Sequence, residues 1–329
     1  MSFVNYLNPY AWVMRLRRRL YRHGALKSHS ADIPVISIGN LSTGGTGKTP
    51  MAIWLAQLIN SEFSKQPAVI LRGYKRPTKG QVVVSDGKHL LASLEQSGDE
   101  AQLIANELPN AIVICDEDRV QGCAKAHELG ADVVLLDDAY QHLRVKRDLN
   151  ILLINEREGI PPVLPFGRGR EHHSALEDAD IVIMTNSTSD RHAIRSKPAL
   201  VSRTIISSVE QLGSSSAIEI SSLKGHKLLA LSAIGNPQGF ETSLSGYDIV
   251  PHRLADHFNY DIGVLNDIVT AARLSHCDRI ITTTKDAVKI RPIVDKGFIS
   301  EIPILVAKSE LAITDPNSQL HRMISKLLK

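Results

Sequence analysis

The stretch PVISIGNLSTGGTGKTPMAIWLAQL, from Pro34 to Leu58, constrains the fold more than any other part of the chain. Val35, Ile36 and Ile38 have the composition of a buried parallel strand. The chain breaks at Gly39-Asn40 and passes through Gly44, Gly45 and Gly47. It resumes after Lys48-Thr49 with Ile53, Leu55, Ala56 and Leu58 at helical spacing. Strand, glycine-rich turn, Gly-Lys-Thr and helix together make a P-loop. Such a loop, here Thr43, Gly44, Gly45, Thr46, Gly47, Lys48 and Thr49, curls its backbone N–H groups round phosphate oxygens, and the helix N-terminus adds its positive end. Lys48 is expected to reach the β and γ phosphates of a nucleoside triphosphate, and the Thr49 hydroxyl to ligate Mg²⁺. Strict spacing asks for glycine at position 42, where this chain has Ser42.

A second signal completes the first. Ala131 to Asp138 (ADVVLLDD) is an apolar strand ending in aspartate, as a Walker B element requires for a carboxylate that sits beside the loop and holds Mg²⁺. The sequence does not separate Asp137 from Asp138 in that role. Further apolar runs at Pro67–Leu71, Ala111–Cys115, Leu149–Asn155 and Ile181–Thr185 predict an α/β fold, a P-loop NTPase-like doubly wound, mainly parallel sheet. Asn186 to Pro198 is polar and turn-rich and reads as a boundary. Beyond it the chain restarts as a smaller α/β domain, with strands near 227–232, 249–254, 280–284 and 302–307. A chain of 329 residues is long enough for two cores. The expected organisation is an N-terminal helix over 1–28, a P-loop core domain over 29–200 and a smaller domain over 201–329.

A formal net charge of +3 gives no case for nucleic acid. Cys115, Cys123 and Cys277 are odd in number and lack C-x-x-C spacing, which points to a reducing compartment and away from zinc or disulfides. No apolar run approaches the roughly 20 residues of a membrane span. Positive charge gathers at the start, where residues 1–31 lack any acidic side chain but carry Arg15, Arg17, Arg18, Arg19, Arg22 and Lys27. On a helical wheel Trp12, Val13, Leu16 and Leu20 share one side, opposite Arg15, Arg18 and Arg22. That pattern suits an amphipathic helix on an anionic membrane surface. It also suits a helix docked on the protein's own core by its apolar side, with the basic face solvated.

Loop and Walker B element together fit a GTPase, a partitioning-type ATPase or a kinase. The Asn-Lys-x-Asp turn by which GTPases read guanine does not occur, and the lysine that partitioning ATPases place just before the two glycines is here Thr43. A kinase must also hold and deprotonate an acceptor opposite the γ-phosphate. The alternative class is a nucleotide switch or scaffold that phosphorylates nothing.

The runs SIGNLSTGGTGKTP, RGYKR, SGDEA, DEDR, LLDDAYQHLRVKRDL, LPFGRGRE, AIGNPQGF, ADHFNY and TTKDAVK follow one another in this order. They resemble the tetraacyldisaccharide 4′-kinase (lipid A 4′-kinase) family along nearly the whole chain. The resemblance implies transfer of the γ-phosphate of ATP, with Mg²⁺, to the 4′-hydroxyl of a tetraacyldisaccharide 1-phosphate, giving lipid IVA. It implies a peripheral protein on the cytoplasmic face of the bacterial inner membrane, with an anionic membrane surface and the lipid as partners and no obligate protein partner evident. By the same resemblance Asp99 is the catalytic base, His257 the histidine paired with it, and Lys48 a catalytic cation. Glu100, Asp137 and Asp138 match Mg²⁺-linked positions with Thr49. Arg72, Arg76, Arg119, Arg170, Glu171 and Lys285 fall in motifs lining the family's substrate site, and Asn8, in the N-terminal helix region, is expected to touch the lipid's headgroup. A partner histidine would orient the aspartate and share its proton, since a carboxylate near pKa 4 is a weak base. Two departures stand out: Asp-Ala-Tyr-Gln-His where many members have Asp-Gly-Leu/Phe-Gln-His, and Leu-Pro-Phe-Gly-Arg-Gly-Arg-Glu where many have Leu-Pro-Ala-Gly-Pro-Leu-Arg-Glu.

Overall fold

The computed structural model describes residues 8–74, 76–187, 193–194, 197–214, 217–256 and 258–329. It divides into two compact units, Met1–Arg203 with Ile313–Lys329, and Thr204–Ala312.

In the first unit the apolar runs become strands β1 (Val35–Asn40), β2 (Pro67–Leu71), β3 (Val82–Asp86), β4 (Ile112–Cys115), β5 (Val133–Leu136), β6 (Leu149–Asn155) and β7 (Ile181–Thr185). The order is β3-β4-β2-β5-β1-β6-β7, with the first residues of β10 (Leu200–Gln211) added beside β7. All neighbours are parallel except β3, which runs antiparallel to β4 at the edge. β1, β2, β4 and β5 are buried along their whole length, because helices cover both faces of a parallel sheet. Helix α5 (Arg119–Glu128) packs Cys123 and Ala126 against Ile70, Ile112, Ile114 and Val134. Helices α2 (Lys48–Phe63) and α4 (Asp99–Glu107) touch each other and the strands beside them. Between β1 and β5 the chain leaves in opposite directions, the place where ligands bind at the carboxyl ends of an open α/β sheet.

The second unit repeats the plan on a smaller scale. Strands β12 (Lys227–Ser232), β13 (Asp248–Arg253), β14 (Arg279–Thr283) and β15 (Ile304–Thr314) run parallel in the order β13-β12-β14-β15. Leu229, Leu231 and Ile280 face α7 (Ile262–Leu274) and α8 (Thr284–Asp295), through Leu265, Ile268 and Ile290. Leu228, Ala230 and Ile281 face Phe240, within α6 (Pro237–Ser243), and Leu244 just beyond it.

Two expectations change. The C-terminal helix α9 (Gln319–Leu327), expected in the smaller domain, belongs to the first unit. Its Leu320 and Ile324 are buried, and His321 stands 2.9 Å from Glu62 and stacks near Phe63 at the end of α2. The other change concerns α1 (Pro9–Arg22), which docks by the side of Arg18 and Arg22 and not by its apolar side. Trp12, Val13 and Leu16 are 59%, 57% and 57% exposed, whereas Ala11 and Arg18 are buried. Arg18 bonds the buried Glu171 at 3.2 Å, Asp178 at 2.7 Å and the carbonyl of Tyr140 at 3.1 Å, with its guanidinium over the Tyr140 ring. A buried arginine with two carboxylates outweighs the apolar pattern in deciding which side faces in. Arg18→Ala leaves Glu171 buried without a counter-charge and is expected to cost about 3–5 kcal/mol in urea unfolding. A loss below about 1 kcal/mol would mean the pair is not coupled.

Candidate functional site

The site forms where β1 and β5 end. Gly39, in β1, has no room for a side chain: a Cβ there would lie 2.6 Å from Tyr140 Cβ and 2.7 Å from its N. That close approach lets the segment after β5 cross the end of β1, where Ala139 N donates to the Ile38 carbonyl, and it brings the two aspartates to the P-loop. Gly47 sits at the N-cap of α2 with φ 81, in the left-handed region a glycine tolerates.

The two aspartates separate clearly. Asp137 is buried; its Oδ2 accepts from the Thr49 hydroxyl at 3.2 Å, and its Oδ1 has no partner among the described residues. Burial, then the nearby carboxylates of Glu100 and Asp138, push its carboxyl up to about 7. Asp138 takes a left-handed backbone (φ 48) that turns its carboxylate elsewhere. Arg170 bonds it at 2.6 and 3.2 Å, and Lys48 Nζ stands 3.8 Å away. These cations hold the Asp138 carboxyl below its ordinary range although burial opposes them. Lys48 Nζ also lies 3.4 Å from the Gly44 carbonyl.

A loop wraps this cluster. Residues 161–171 lie along the P-loop, with Thr43 N donating to the Arg168 carbonyl at 2.8 Å, Arg170 N to the Leu41 carbonyl at 2.7 Å, and Ser42 bridged to Gly169. Asn8 ties the same loop to α1. Its Oδ1 caps the helix, accepting from Tyr10 N and Ala11 N, and its Nδ2 donates to the carbonyls of Val163 and Leu164 at 3.2 and 2.7 Å. Glu171 is taken up by Arg18. Thus Asn8 and Glu171 hold the scaffold. Asn40, not singled out from the sequence, joins the parts: it accepts from Arg170, donates to Thr46 Oγ1 at 2.8 Å, and its carbonyl accepts from Gln141 at 2.7 Å. Its only sequence signal is an amide at the end of a mostly apolar strand.

On the β5-β2-β4 side, buried Arg119 donates to the carbonyls of Asp116 and Asp137. Buried Arg76 pairs with Glu117 at 2.9 Å, while Arg72 is exposed. Asp99 opens α4 after Gly98, partly exposed, with Glu100 close enough to act on Asp137. His257 lies outside the described residues. In the second unit Lys285 pairs with Asp256 at 3.2 Å, and Tyr260 donates to the buried Asp286 at 3.0 Å. Asp286 also accepts from the Thr283 hydroxyl and Ala233 N.

Among the described residues no cluster of three carboxylate, imidazole or thiolate side chains forms an all-protein metal cage. Mg²⁺ in nucleotide sites does not use one; it takes one or two carboxylates plus phosphate oxygens and waters. An unpartnered buried oxygen of Asp137 beside the Thr49 hydroxyl fits that demand.

Comparison with known proteins decides between the possible owners of such a loop. The family described as Tetraacyldisaccharide-1-P 4'-kinase matches residues 6–329. The chain belongs to that family. It is 38% identical over 325 residues to a tetraacyldisaccharide 4'-kinase of Pelobacter propionicus, covering 93% of this chain and 87% of that one. A protein of the same name from Geobacter metallireducens is 36% identical, with 97% and 96% covered. Among solved structures, the "apo" form of LpxK from Aquifex aeolicus in complex with ATP superposes with a TM-score of 0.79, at 28% identity and over 99% of this chain and 98% of that one. The protein is therefore an ATP-binding kinase of lipid A biosynthesis, a phosphotransferase with an alcohol group as acceptor. The absent Asn-Lys-x-Asp turn and Thr43 had pointed the same way.

Proposed function

We propose that the protein transfers the γ-phosphate of ATP to the 4′-hydroxyl of a tetraacyldisaccharide 1-phosphate, giving lipid IVA at the cytoplasmic face of the bacterial inner membrane. The reading rests above all on the Thr49–Asp137 contact at 3.2 Å beneath the P-loop, with the second Asp137 oxygen unpartnered.

The residues divide the work. Backbone N–H groups of residues 43–49 cradle the phosphates, and Lys48 swings from Asp138 and Gly44 to the β and γ oxygens. Thr49 and Asp137 would hold Mg²⁺, which would offset the charge of the phosphates; Glu100 is the second carboxylate at hand. Asp138, fixed by Arg170 and Lys48, keeps both cations aimed at the phosphate path. Asp99 takes the proton of the 4′-hydroxyl, and His257 orients it; the support for His257 is the family motif. Arg72 is free to meet the substrate's phosphate, Lys285 is a further candidate, and Asn8, Arg76, Arg119 and Glu171 position the loops. Labelled ATP tests the reaction: label should move to the lipid. Label released only as free phosphate would favour a nucleotide switch instead.

The state of Asp137 sets a pH dependence. Its folded pKa of about 7 stands above the ordinary 3.8, so the cation-free fold holds a proton there that the unfolded chain has lost. That contribution to stability is whole below pH 3.8 and gone as pH rises through about 7. Mg²⁺ must displace the same proton. Its affinity, measured by calorimetry with ATP present, is expected to rise about tenfold per pH unit up to about 7 and then level off. A flat profile would remove Asp137 as the ligand.

Four acyl chains keep the acceptor in a bilayer, and the exposed stripe of Trp12, Val13 and Leu16 gives the protein a surface to enter it. Deleting α1 would also strip Glu171 of Arg18, so point changes are cleaner. Trp12→Ala with Leu16→Ala is expected to weaken vesicle binding about a hundredfold with the melting temperature unchanged. Undiminished binding would exclude the stripe.

A further inference from the structure

One side of α1 carries charge that the fold leaves unmatched. Arg15, Arg18, Arg19, Arg22 and His23 line a cleft of about 220 Å³ with Ser174 and Glu177. Arg18 is neutralised by Glu171 and Asp178, and Arg22 bonds Asp178 at 2.5 Å with Glu177 at 3.7 Å. Arg15 and Arg19 are exposed, and neither has an ionic partner among the described residues. At about 100° per residue, Arg19 stands some 20° round the helix from Trp12 and Arg15 some 60°. Both therefore lie between the buried side, Ala11 and Arg18, and the exposed stripe of Trp12, Val13 and Leu16.

That position has a physical consequence. If the stripe enters the acyl boundary, the two guanidinium groups come to rest at headgroup depth, because long basic side chains bury their stems and keep their charge in the polar layer. A guanidinium fork matches phosphate oxygens in bidentate fashion. Two of them lining one cleft make an anion site whose open side adjoins an apolar surface. The Glu177 carboxylate faces Arg22 at the other end and leaves the Arg15–Arg19 end positive.

We propose that this cleft is a headgroup site for an anionic phospholipid, with the lipid phosphate held by Arg15 and Arg19 beside the immersed stripe. It is separate from the P-loop and from the acceptor's own phosphate, and it sets which membrane surface the enzyme visits. The proposal rests on the membrane reading above, and the test separates the two.

The full chain is floated with phosphatidylcholine vesicles and with vesicles that also contain phosphatidylglycerol. Arg15→Gln with Arg19→Gln should lower affinity for the phosphatidylglycerol vesicles about 30-fold, near fivefold per arginine, and leave binding to phosphatidylcholine unchanged. A charge-matched control, Lys125→Gln with Lys146→Gln, should change either by less than about threefold. Equal losses in both pairs would reveal diffuse attraction and overturn the site. Wild-type protein that binds both vesicles equally would overturn the site and keep the membrane reading; protein that binds neither would overturn both. Inorganic phosphate at matched ionic strength should not displace bound protein. Displacement would mark the cleft as a free-phosphate site and exclude the lipid assignment.

Discussion

Lys48→Ala is expected to lower kcat/KM by about a thousandfold, close to 4 kcal/mol of transition-state stabilisation. The lysine is the cation of the P-loop itself. It lies between the Gly44 carbonyl and Asp138, neither of which needs it for burial, since Arg170 already bonds Asp138 twice. Its loss should therefore leave the fold intact and fall on the transferring phosphate, where charge is spread over three oxygens. Lys48→Arg should recover little, because a planar fork cannot replace a compact ammonium at that reach. Single-turnover transfer with saturating ATP separates the chemical step from nucleotide binding. A variant that keeps more than about a tenth of wild-type turnover would mean the lysine binds ATP without acting on the transfer.

Asp99→Ala and Asp99→Asn are each expected to cost about a hundred- to ten-thousandfold in kcat, the usual worth of a positioned general base. Asp99 begins α4, and the P-loop and Thr49 belong to α2 and the turn before it. KM for ATP should accordingly move little. The conservative amide matters here, since it keeps the shape and one acceptor oxygen and removes the charge and the ability to take a proton. If purified Asp99→Asn turns over at the wild-type rate, proton abstraction lies elsewhere. If it loses activity and the acid limb of the pH–rate profile together, the assignment holds.

Much of this architecture was legible because parallel strands buried on both faces are unbroken apolar runs. Pro67–Leu71 and Ile181–Thr185 were bounded to the residue, and the Walker B strand begins and ends two residues inside its predicted run. The long strand Leu200–Gln211 was missed for the converse reason: beyond Ser202 it is largely exposed and reads Arg, Thr, Ser, Ser, Glu among its apolar residues. The helical period of α1 was legible, but which side faces the protein was left open between two readings. Periodicity reports which residues share a face, but the partners of Arg18 lie about 150 residues away, and nothing local announces them. The same holds for Asp137 and Asp138. They are neighbours of identical chemistry, told apart only by the sheet register that ties Asp137 N to the Ile70 carbonyl and by the left-handed turn at Asp138. The loop 161–171 carries no apolar pattern from which its contacts could be read. It is bonded to Thr43, Leu41 and Asn8, and its Gly167 and Gly169 pass so close to Pro162 that a side chain would collide with its carbonyl. It therefore links the N-terminal helix to the phosphate-binding loop.

The position of the new phosphate tests the central claim most directly. Protein, Mg²⁺, ATP and tetraacyldisaccharide 1-phosphate are incubated, and the lipid product is examined by proton–phosphorus correlation spectroscopy. A second phosphorus coupled to the proton at carbon 4′, absent when Lys48→Ala or Asp99→Asn replaces the wild-type protein, is the predicted result. A product phosphorylated at another hydroxyl, or ATP consumed with no phosphorus added to the lipid, would contradict it.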